Sequence, residues 1–246
     1  MQRRTMLQLA SASTLLGPFA ALASRREQAD VIVIGSGGAG LTAAITAFDA
    51  GARVVVLEKM PITGGNTQLA AGGMNAAPTR FQAAKGLKDS LKLMYDDTYG
   101  GGKKQAVPGL VDVLVQNSAA SVDYLTSLGA DMSDVGRMGG ASVDRCHRPT
   151  GGEAVGHHIV HVLRANAIQR KLDLRTHSQV VKVFTAPNGR VSGVLVRNKI
   201  GELYSIEAPV VVLASGGFSS NLARVASYLP DYAAFSSTNQ PGATGD

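Results

Sequence analysis

The sequence predicts an α/β fold in which a parallel β-sheet is followed by an antiparallel β-meander. Residues 30–35 and 53–58 are two β-branched apolar runs on either side of a small-residue segment that favours a helix, and together they form one βαβ unit. Alternating apolar positions around the turn at residues 187–189 are typical of a meander. With 45% hydrophobic residues and 29 glycines in 246, the composition excludes disordered, collagen-like and coiled-coil chains.

The predicted elements follow in order along the chain. The first strand covers residues 30–35 and ends on a glycine, the helix covers residues 41–50, and the second strand covers residues 53–58. Helical patterns recur at residues 90–98, 108–128 and 156–170, and Gly-rich loops are predicted at residues 64–77 and 135–152. Further strands are predicted at residues 172–184, 191–197, 203–207 and 209–214.

Residues 1–23 have the features of a cleavable export signal. Arg3 and Arg4 precede a short apolar stretch that ends in the A-x-A site at residues 21–23. The paired arginines indicate the twin-arginine route, which carries folded proteins, and predict a periplasmic location. The apolar stretch is short and Ser-rich against the ~20 residues of a spanning helix, so a stable membrane anchor is disfavoured, and a disordered basic terminus is the remaining alternative. Residues 24–246 then form the mature domain.

Charge and cysteine content exclude several classes of function. The formal net charge is +6, but four positive charges lie near the N-terminus and the other basic residues are interspersed with acids, so no nucleic-acid partner is implied. Cys146 is the single cysteine, and the sequence has neither a CxxC zinc motif nor a CxxCH haem motif. Redox chemistry would therefore come from a bound group. Cys146 is interpreted as a lone buried thiol rather than as an activated thiolate.

The first strand leads into a glycine motif with the context of a dinucleotide site. Gly35, Gly37 and Gly40 follow the strand and open the helix, and Glu58 ends the next strand. Gly35 permits the tight turn, Gly37 allows a pyrophosphate to approach the backbone, and Gly40 allows close helix packing. Glu58 would accept hydrogen bonds from an adenosine ribose and would repel the 2′-phosphate of NADP. The alternative is that these glycines serve only a tight turn.

The segments after the second strand favour FAD over NAD. A nicotinamide-dependent dehydrogenase, which is a further alternative, usually continues with more βαβ units. Here a Gly/Ala-rich stretch at residues 64–77 suits close approach to a long, flat ligand. The strand cluster at residues 172–207 and the last strand are typical of the meander and returning strand of flavoproteins. The prediction is a Rossmann-like FAD-binding domain.

Six segments, in order, resemble one family: GSGGAG, EKMPITGGNT, LAAGGMNAA, DVGRMGGASVDRCHRPTGG, LASGGF and STNQPGATGD. They are similar to the soluble fumarate reductase and flavocytochrome c flavoproteins, relatives of succinate dehydrogenase flavoprotein subunits and urocanate reductase. The resemblance covers nearly everything after residue 29. It implies an oxidoreductase that transfers hydride from reduced flavin to the C=C bond of a small unsaturated carboxylate such as fumarate. Because no CxxCH haem segment precedes the domain, it implies a separate electron donor, a cytochrome or another carrier.

The resemblance also implies cofactor contacts at particular positions. They are Ala39, Glu58, Lys59, Asn66, Thr67, Gly72, Gly73, Val180 and Asp246. Membrane-bound relatives carry a histidine, covalently joined to the flavin, at about the position of Asn66, and an amide cannot form that bond. The FAD is therefore predicted to be non-covalent. By the same resemblance, Gly72 and Met138 lie beside the substrate, although Met138 is equally well interpreted as a gap-filling apolar residue.

No residue of this chain matches the family's proton-donating arginine, and neither Arg137 nor Arg148 is assigned that role. The catalytic residues are expected downstream of Asp246, in and after a capping domain, so the chain is expected to be the N-terminal portion of a longer protein. The alternative function is a truncated FAD-binding fragment without turnover.

The histidines of the chain carry weaker hypotheses. His147, Arg148 and Thr150 resemble an anion site, but a loop that closes over the flavin is the favoured interpretation. His157 and His161 have the i, i+4 spacing of metal ligands, yet they lack an adjacent glutamate or a third ligand, so no metal site is predicted.

Overall fold

The computed structural model describes residues 26–246, so the predicted signal peptide at residues 1–23 lies outside the described residues. The strands are β1 (Arg26–Gln28), β2 (Val31–Ile34), β3 (Val54–Leu57), β4 (Met74–Asn75), β5 (Asp134–Gly136), β6 (Cys146–Arg148), β7 (Asp173–Arg175), β8 (Gln179–Thr185), β9 (Val191–Arg197), β10 (Leu203–Glu207) and β11 (Val210–Leu213). The helices are α1 (Gly38–Asp49), α2 (Arg80–Ala84), α3 (Leu91–Gly101), α4 (Pro108–Ser127), α5 (Val155–Gln169) and α6 (Leu222–Tyr228). Two 3₁₀ turns cover Gly65–Leu69 and Pro230–Ala234.

A four-stranded parallel sheet in the order β11-β2-β3-β7 forms the centre of the fold. Strands β2, β3 and β11 are continuous apolar runs, as is usual where both faces of a sheet are covered. Side chains alternate between the faces: Val33 and Val56 pack against α1, whereas Ile32 and Val55 pack against the second sheet. This architecture confirms the predicted fold class.

The second sheet has the order β1-β10-β9-β8. Strands β8, β9 and β10 are antiparallel neighbours, as the predicted meander requires, and β1 joins β10 in parallel. Val194, Val196 and Ile206 of this sheet are buried against the parallel sheet. The meander therefore covers one face of the parallel sheet, and α1 covers the other.

Helices α4 and α5 extend the core beyond α1. Val115 and Val122 of α4 are buried, and Leu163 of α5 packs with Ile45 of α1. A small antiparallel sheet in the order β4-β6-β5 lies next to these helices. In the part of the chain that the structure describes, no helix is long and apolar enough to cross a membrane.

Two sequence predictions of local structure are wrong. Residues 172–184 are not one strand, because β7 belongs to the parallel sheet and β8 to the meander. The chain turns between them at His177, whose φ is 51°, and the Ser178 amide donates to the Glu58 carbonyl at 2.8 Å. Residues 135–152 are not all loop, because they contain β6, which pairs with both β4 and β5.

Candidate functional site

Two glycines of the turn from β2 into α1, Gly35 and Gly40, leave no space for a side chain. Gly35 has a φ of 100°, and a Cβ there would overlap the carbonyl of Ala214 at the end of β11. A Cβ on Gly40 would overlap the carbonyl of Gly35. These contacts bring the first turn of α1 close to the ends of β2 and β11.

The N-terminus of α1 presents backbone donors to an adjacent groove. Gly37 occupies the N-cap position, and no side chain caps the helix. The Gly38 amide donates to Thr67 Oγ1 at 3.0 Å, which fixes the 3₁₀ turn beside α1. The first turn of a helix leaves amides without an intrahelical partner and carries the positive end of the helix dipole. This geometry suits a phosphate group.

Glu58, at the end of β3, lies next to this helix terminus and is 7% exposed. Its Oε2 accepts hydrogen bonds from the amide and the hydroxyl of Ser36, at 2.9 and 2.7 Å. Its Oε1 accepts the Met60 amide at 2.8 Å. Because a carboxylate offers about four acceptor positions, Glu58 keeps capacity on Oε1 for a ligand hydroxyl.

A cluster of polar side chains forms the far rim of the groove. Lys59 donates to Thr244 Oγ1 at 2.6 Å and forms an ion pair with Asp246. Gln179 of β8 donates to the other carboxylate oxygen of Asp246 at 2.9 Å. Burial raises the pKa of Asp246, but hydrogen bonds from Lys59, Thr244 and Gln179 outweigh it and lower the pKa well below its usual range. The loop after β3, β8 and the last residues of the chain therefore meet at one rim.

Asn66 connects the 3₁₀ turn to the segment before Asp246. Its side-chain amide donates to Asn239 Oδ1 at 2.8 Å, and its Oδ1 accepts the Gln240 amide at 2.7 Å. Both ends of the Asn66 side chain are thus engaged by neighbouring residues.

These features surround a groove of about 1050 Å³, including its open mouth, at the carboxyl ends of β2, β3 and β11. Ligand sites of parallel sheets lie at this edge. The predicted residues that line the groove are Gly35, Gly37, Ala39, Glu58, Lys59, Asn66, Thr67, Val180 and Asp246. An uncapped helix terminus for a pyrophosphate and a buried carboxylate for a ribose, in one elongated groove, fit a dinucleotide such as FAD.

Several lining residues were missed from the sequence. Ser36, Met60, Gln179, Ser215 and Gln240 all line the groove. Ser36 lies inside the glycine motif, and its hydroxyl, a potential hydrogen-bond donor, could have indicated its role. Met60 directly follows Lys59, and Ser215 lies just after β11, so their positions were the available signal. Gln179 and Gln240 reach the groove only through tertiary packing, which has no local sequence pattern.

Some predicted site residues lie outside this groove. Gly40 faces the packed side of α1, and a Cβ on Gly73 would overlap Cys146 Sγ, so these glycines have packing roles. A Cβ on Gly72 would lie 2.8 Å from Met138 Cε. The structure therefore brings together Gly72 and Met138, the two residues predicted beside the substrate, and their ligand contacts stay predictions.

The anion site and the loop interpretation at His147 are both wrong. His147 is fully buried in β6, where the Thr79 hydroxyl lies 2.8 Å from Nε2 and the Arg145 carbonyl lies 2.8 Å from Nδ1. Burial lowers its pKa, which stabilises the neutral ring. Arg148 instead bonds to Asp134, and Thr150 bonds through its amide to Asp131. These side chains do not converge on one ligand.

Cys146 and His158 are engaged in packing and hydrogen bonding within the fold. Cys146 is buried, which confirms its interpretation as a lone buried thiol, and burial raises the pKa of that thiol. His158 Nε2 accepts the Asp131 amide at 2.9 Å. Among residues 26–246, no three His, Cys, Asp or Glu side chains lie close enough together to hold a metal ion.

The similarity of this chain to known proteins agrees with the geometry of the groove. The fumarate reductase (cytochrome) of Shewanella frigidimarina is 52% identical over 228 residues, which are 92% of this chain and 40% of that protein. The NADH:fumarate oxidoreductase of Klebsiella pneumoniae (strain 342) is 44% identical over 88% of this chain and 23% of that protein. A solved structure of the open conformation of a flavocytochrome c3 fumarate reductase matches with a TM-score of 0.85 and 41% identity, over 92% of this chain and 40% of that one.

This chain spans less than half the length of each of these relatives. The model of one protein family, described as the FAD binding domain, matches residues 30–246. The matched range contains the glycine turn, Glu58 and the whole groove. This chain therefore belongs to the FAD binding domain family and resembles the flavoproteins of fumarate reductases.

Proposed function

We propose that this chain is the FAD-binding part of a fumarate reductase-like enzyme that transfers hydride from reduced flavin to the C=C bond of an unsaturated carboxylate such as fumarate. The observation that carries the proposal is the groove, where the uncapped terminus of α1 and the buried Glu58 carboxylate lie side by side. The fumarate reductases among the relatives support the choice of reaction.

The residues of this chain bind and orient the cofactor. The α1 amides would hold the pyrophosphate, Glu58 would hold a ribose hydroxyl, and the β8 backbone at Val180 would bind the adenine. Bound FAD supplies the hydride. Backbone amides at Thr67, Gly72 and Gly73 would donate to flavin oxygens and favour the reduced ring, the last two from beyond the groove itself. These contacts at the flavin end of the ligand are proposed from the family resemblance.

The FAD is held without a covalent bond. A side-chain amide is not nucleophilic enough to attach to the flavin, and both ends of the Asn66 side chain already bond to Asn239 and Gln240. The cofactor is therefore released when the protein unfolds.

The substrate and its proton donor belong to the proposed longer protein. In this account, Met138 and Gly72 contribute one side of the substrate site, and carboxylate-binding and proton-donating residues follow Asp246. A separate electron carrier, a cytochrome or another protein, reduces the flavin. The arginine pair at residues 3–4 supports export of the folded, FAD-loaded protein to the periplasm by the twin-arginine route.

A second function, an FAD-binding fragment without turnover, is favoured by exposed apolar side chains near the end of the chain. Within the described residues, β11 is an edge strand of its sheet, and Leu213 is 72% exposed. Tyr228 and Phe235 are exposed by 67% and 62%. Such surfaces are usually covered by further protein.

One experiment separates the two functions. The FAD-loaded chain is reduced with dithionite under anaerobic conditions, and fumarate is then added while flavin absorbance is followed. Reoxidation by fumarate, but not by succinate, supports the reductase. If only a longer product of the same gene reoxidises, the chain itself is the fragment. If neither does, fumarate reduction is excluded.

A further inference from the structure

A buried ion cluster outside the FAD groove connects α3 with the loop between β5 and β6. Arg145 is 1% exposed, and its guanidinium forms two hydrogen bonds with Asp89, at 2.9 and 3.0 Å. A third nitrogen of Arg145 lies 3.0 Å from Asp97 Oδ2 on α3. Two acids thus face one buried arginine.

Asp89 alone is sufficient to neutralise Arg145. Its two oxygens accept the Arg145 fork, and they also accept Gln82 Nε2 and the Ser90 amide at 2.9 and 2.8 Å. All of its acceptor positions are therefore used. Neutralising the charge of Arg145 therefore does not explain why a second acid, Asp97, lies beside it.

The other contacts of Asp97 are with the loop. Its Oδ2 accepts the Ser142 amide at 2.8 Å, and its Oδ1 accepts the Ser142 hydroxyl at 2.6 Å. Burial raises the pKa of Asp97, but the hydrogen bonds from Ser142 and the charge of Arg145 outweigh it and lower the pKa, so Asp97 is ionised at neutral pH. Charge-assisted hydrogen bonds of this kind are the strong ones.

Residues 137–145 form this loop, and the side chain of its Met138 lies against Gly72, in the segment just before β4. The Ala141 amide donates to the Met138 carbonyl at 3.1 Å, which closes a tight turn directly before Ser142. Met138 is 42% exposed, and its Cε lies 2.8 Å from where a Cβ on Gly72 would be. A shift of Ser142 would therefore move Met138 relative to Gly72.

We propose that Asp97 is a positioning residue that holds Met138 against Gly72 through Ser142, and so sets the shape of the protein surface beside the flavin and the substrate. The Asp97 carboxylate acts through the loop and touches no ligand itself. The significance of this contact for catalysis rests on the proposed function, whereas the contact itself does not.

The test compares Asp97→Asn with Asp96→Asn, a matched change at the next position of α3. Asp96 is exposed and pairs only with Lys92 among the ion pairs of α3, so its replacement leaves the loop contacts intact. Each variant is exposed briefly to trypsin, and cleavage after Arg137 in the loop is divided by cleavage after Arg164 inside α5. The ratio separates loop opening from global unfolding.

Asp97→Asn is expected to raise this ratio by about tenfold, which corresponds to the loss of one charge-assisted hydrogen bond. Asp96→Asn is expected to leave it unchanged. Ser142→Ala, which removes a single hydroxyl, keeps the test valid if Asp97→Asn does not fold, and it should raise the ratio by a smaller factor. An unchanged ratio in the folded variants would overturn the proposal.

Methionine labelled with ¹³C at Cε provides a second measurement. The Met138 signal, assigned with Met138→Leu, should shift in Asp97→Asn, while the signals of the buried Met94 and Met132 should stay in place. With FAD loaded, the flavin midpoint potential should shift in Asp97→Asn only. A mobile loop with an unchanged potential would overturn the flavin part of the proposal, whereas a wild-type chain that binds no FAD would refute the proposed function instead.

Discussion

The Ser36 hydroxyl donates a 2.7 Å hydrogen bond to Glu58 Oε2, which joins the glycine turn after β2 to the end of β3. The Ser36 amide donates to the same oxygen at 2.9 Å, so one carboxylate oxygen is held by a single residue. Ser36 is fully buried, and Glu58 faces the groove. The acid is thus oriented by the same turn that presents the uncapped amides of α1.

Replacement of Glu58 by Gln should weaken FAD binding by about 10- to 100-fold, because hydrogen bonds to a charged group contribute about 1.5–3 kcal/mol each. The NH2 group of Gln would also face either the Ser36 donors or the Met60 amide, all of which require an acceptor. Fluorescence quenching of FAD during titration measures the dissociation constant. Glu202→Gln, in the exposed turn before β10, is the matched control and should bind as the wild type does. Equal affinity of Glu58→Gln and the control would disprove the ribose contact.

Ser36→Ala should weaken FAD binding by about two- to tenfold, less than the full effect of one charge-assisted hydrogen bond, because the Ser36 amide still holds Glu58 Oε2. Because Ser36 acts through Glu58, its effect should largely disappear in the Glu58→Gln background. The same titration, applied to both single variants and the double variant, measures this coupling. Additive effects would show that Ser36 does not orient Glu58.

Gly40→Ala should destabilise the fold by about 1–3 kcal/mol or prevent folding, because a Cβ there overlaps the Gly35 carbonyl. Gly109→Ala is the control, since Gly109 lies near the start of α4 with open space around it. That control should be neutral or stabilising by up to about 1 kcal/mol. Urea unfolding of both variants measures the difference. Equal stability of the two would contradict the close packing of α1.

Stability should fall as the pH drops below about 6.5, because burial lowers the pKa of His147 in the folded state only. Between the unfolded and folded pKa values, the unfolded chain binds a proton that the native chain excludes, which costs up to about 1.4 kcal/mol per pH unit. Unfolding free energies are measured between pH 7.5 and 5, values spanning the pKa of ~6.5 for an unperturbed histidine. His147→Gln should flatten this slope, and His161→Gln, on the exposed face of α5, should not. The same slope in both variants would assign the effect to other groups.

The βαβ unit and the meander were predictable because their strands carry continuous or alternating apolar patterns. The glycine turn and Glu58 were predictable because their spacing within one unit is local. The break at residues 176–178 was missed although residues 175–179 are all polar, because this run contains no Gly or Pro to indicate a turn between strands of different sheets. The short strand β6 carries too few residues to show a period.

Contacts between polar residues that are distant in sequence were likewise not predictable from any local pattern. Asn66 meets Asn239 and Gln240 across more than 170 positions of sequence, and Arg145 meets Asp89 across 56. Such pairs depend on how the sheets and helices pack. The sequence could therefore identify the ligand class, whereas the residues that orient Glu58 and Met138 required the structure.

The visible spectrum of the purified chain, before and after heat denaturation, tests the central claim most directly. Flavin absorbance near ~450 nm that stays with the folded protein and passes freely through a filter after heating is the predicted result, because the groove holds FAD without a covalent bond. A folded protein that stays colourless after incubation with FAD would contradict the account of the groove. Flavin that stays attached to the denatured chain would contradict the non-covalent assignment at Asn66.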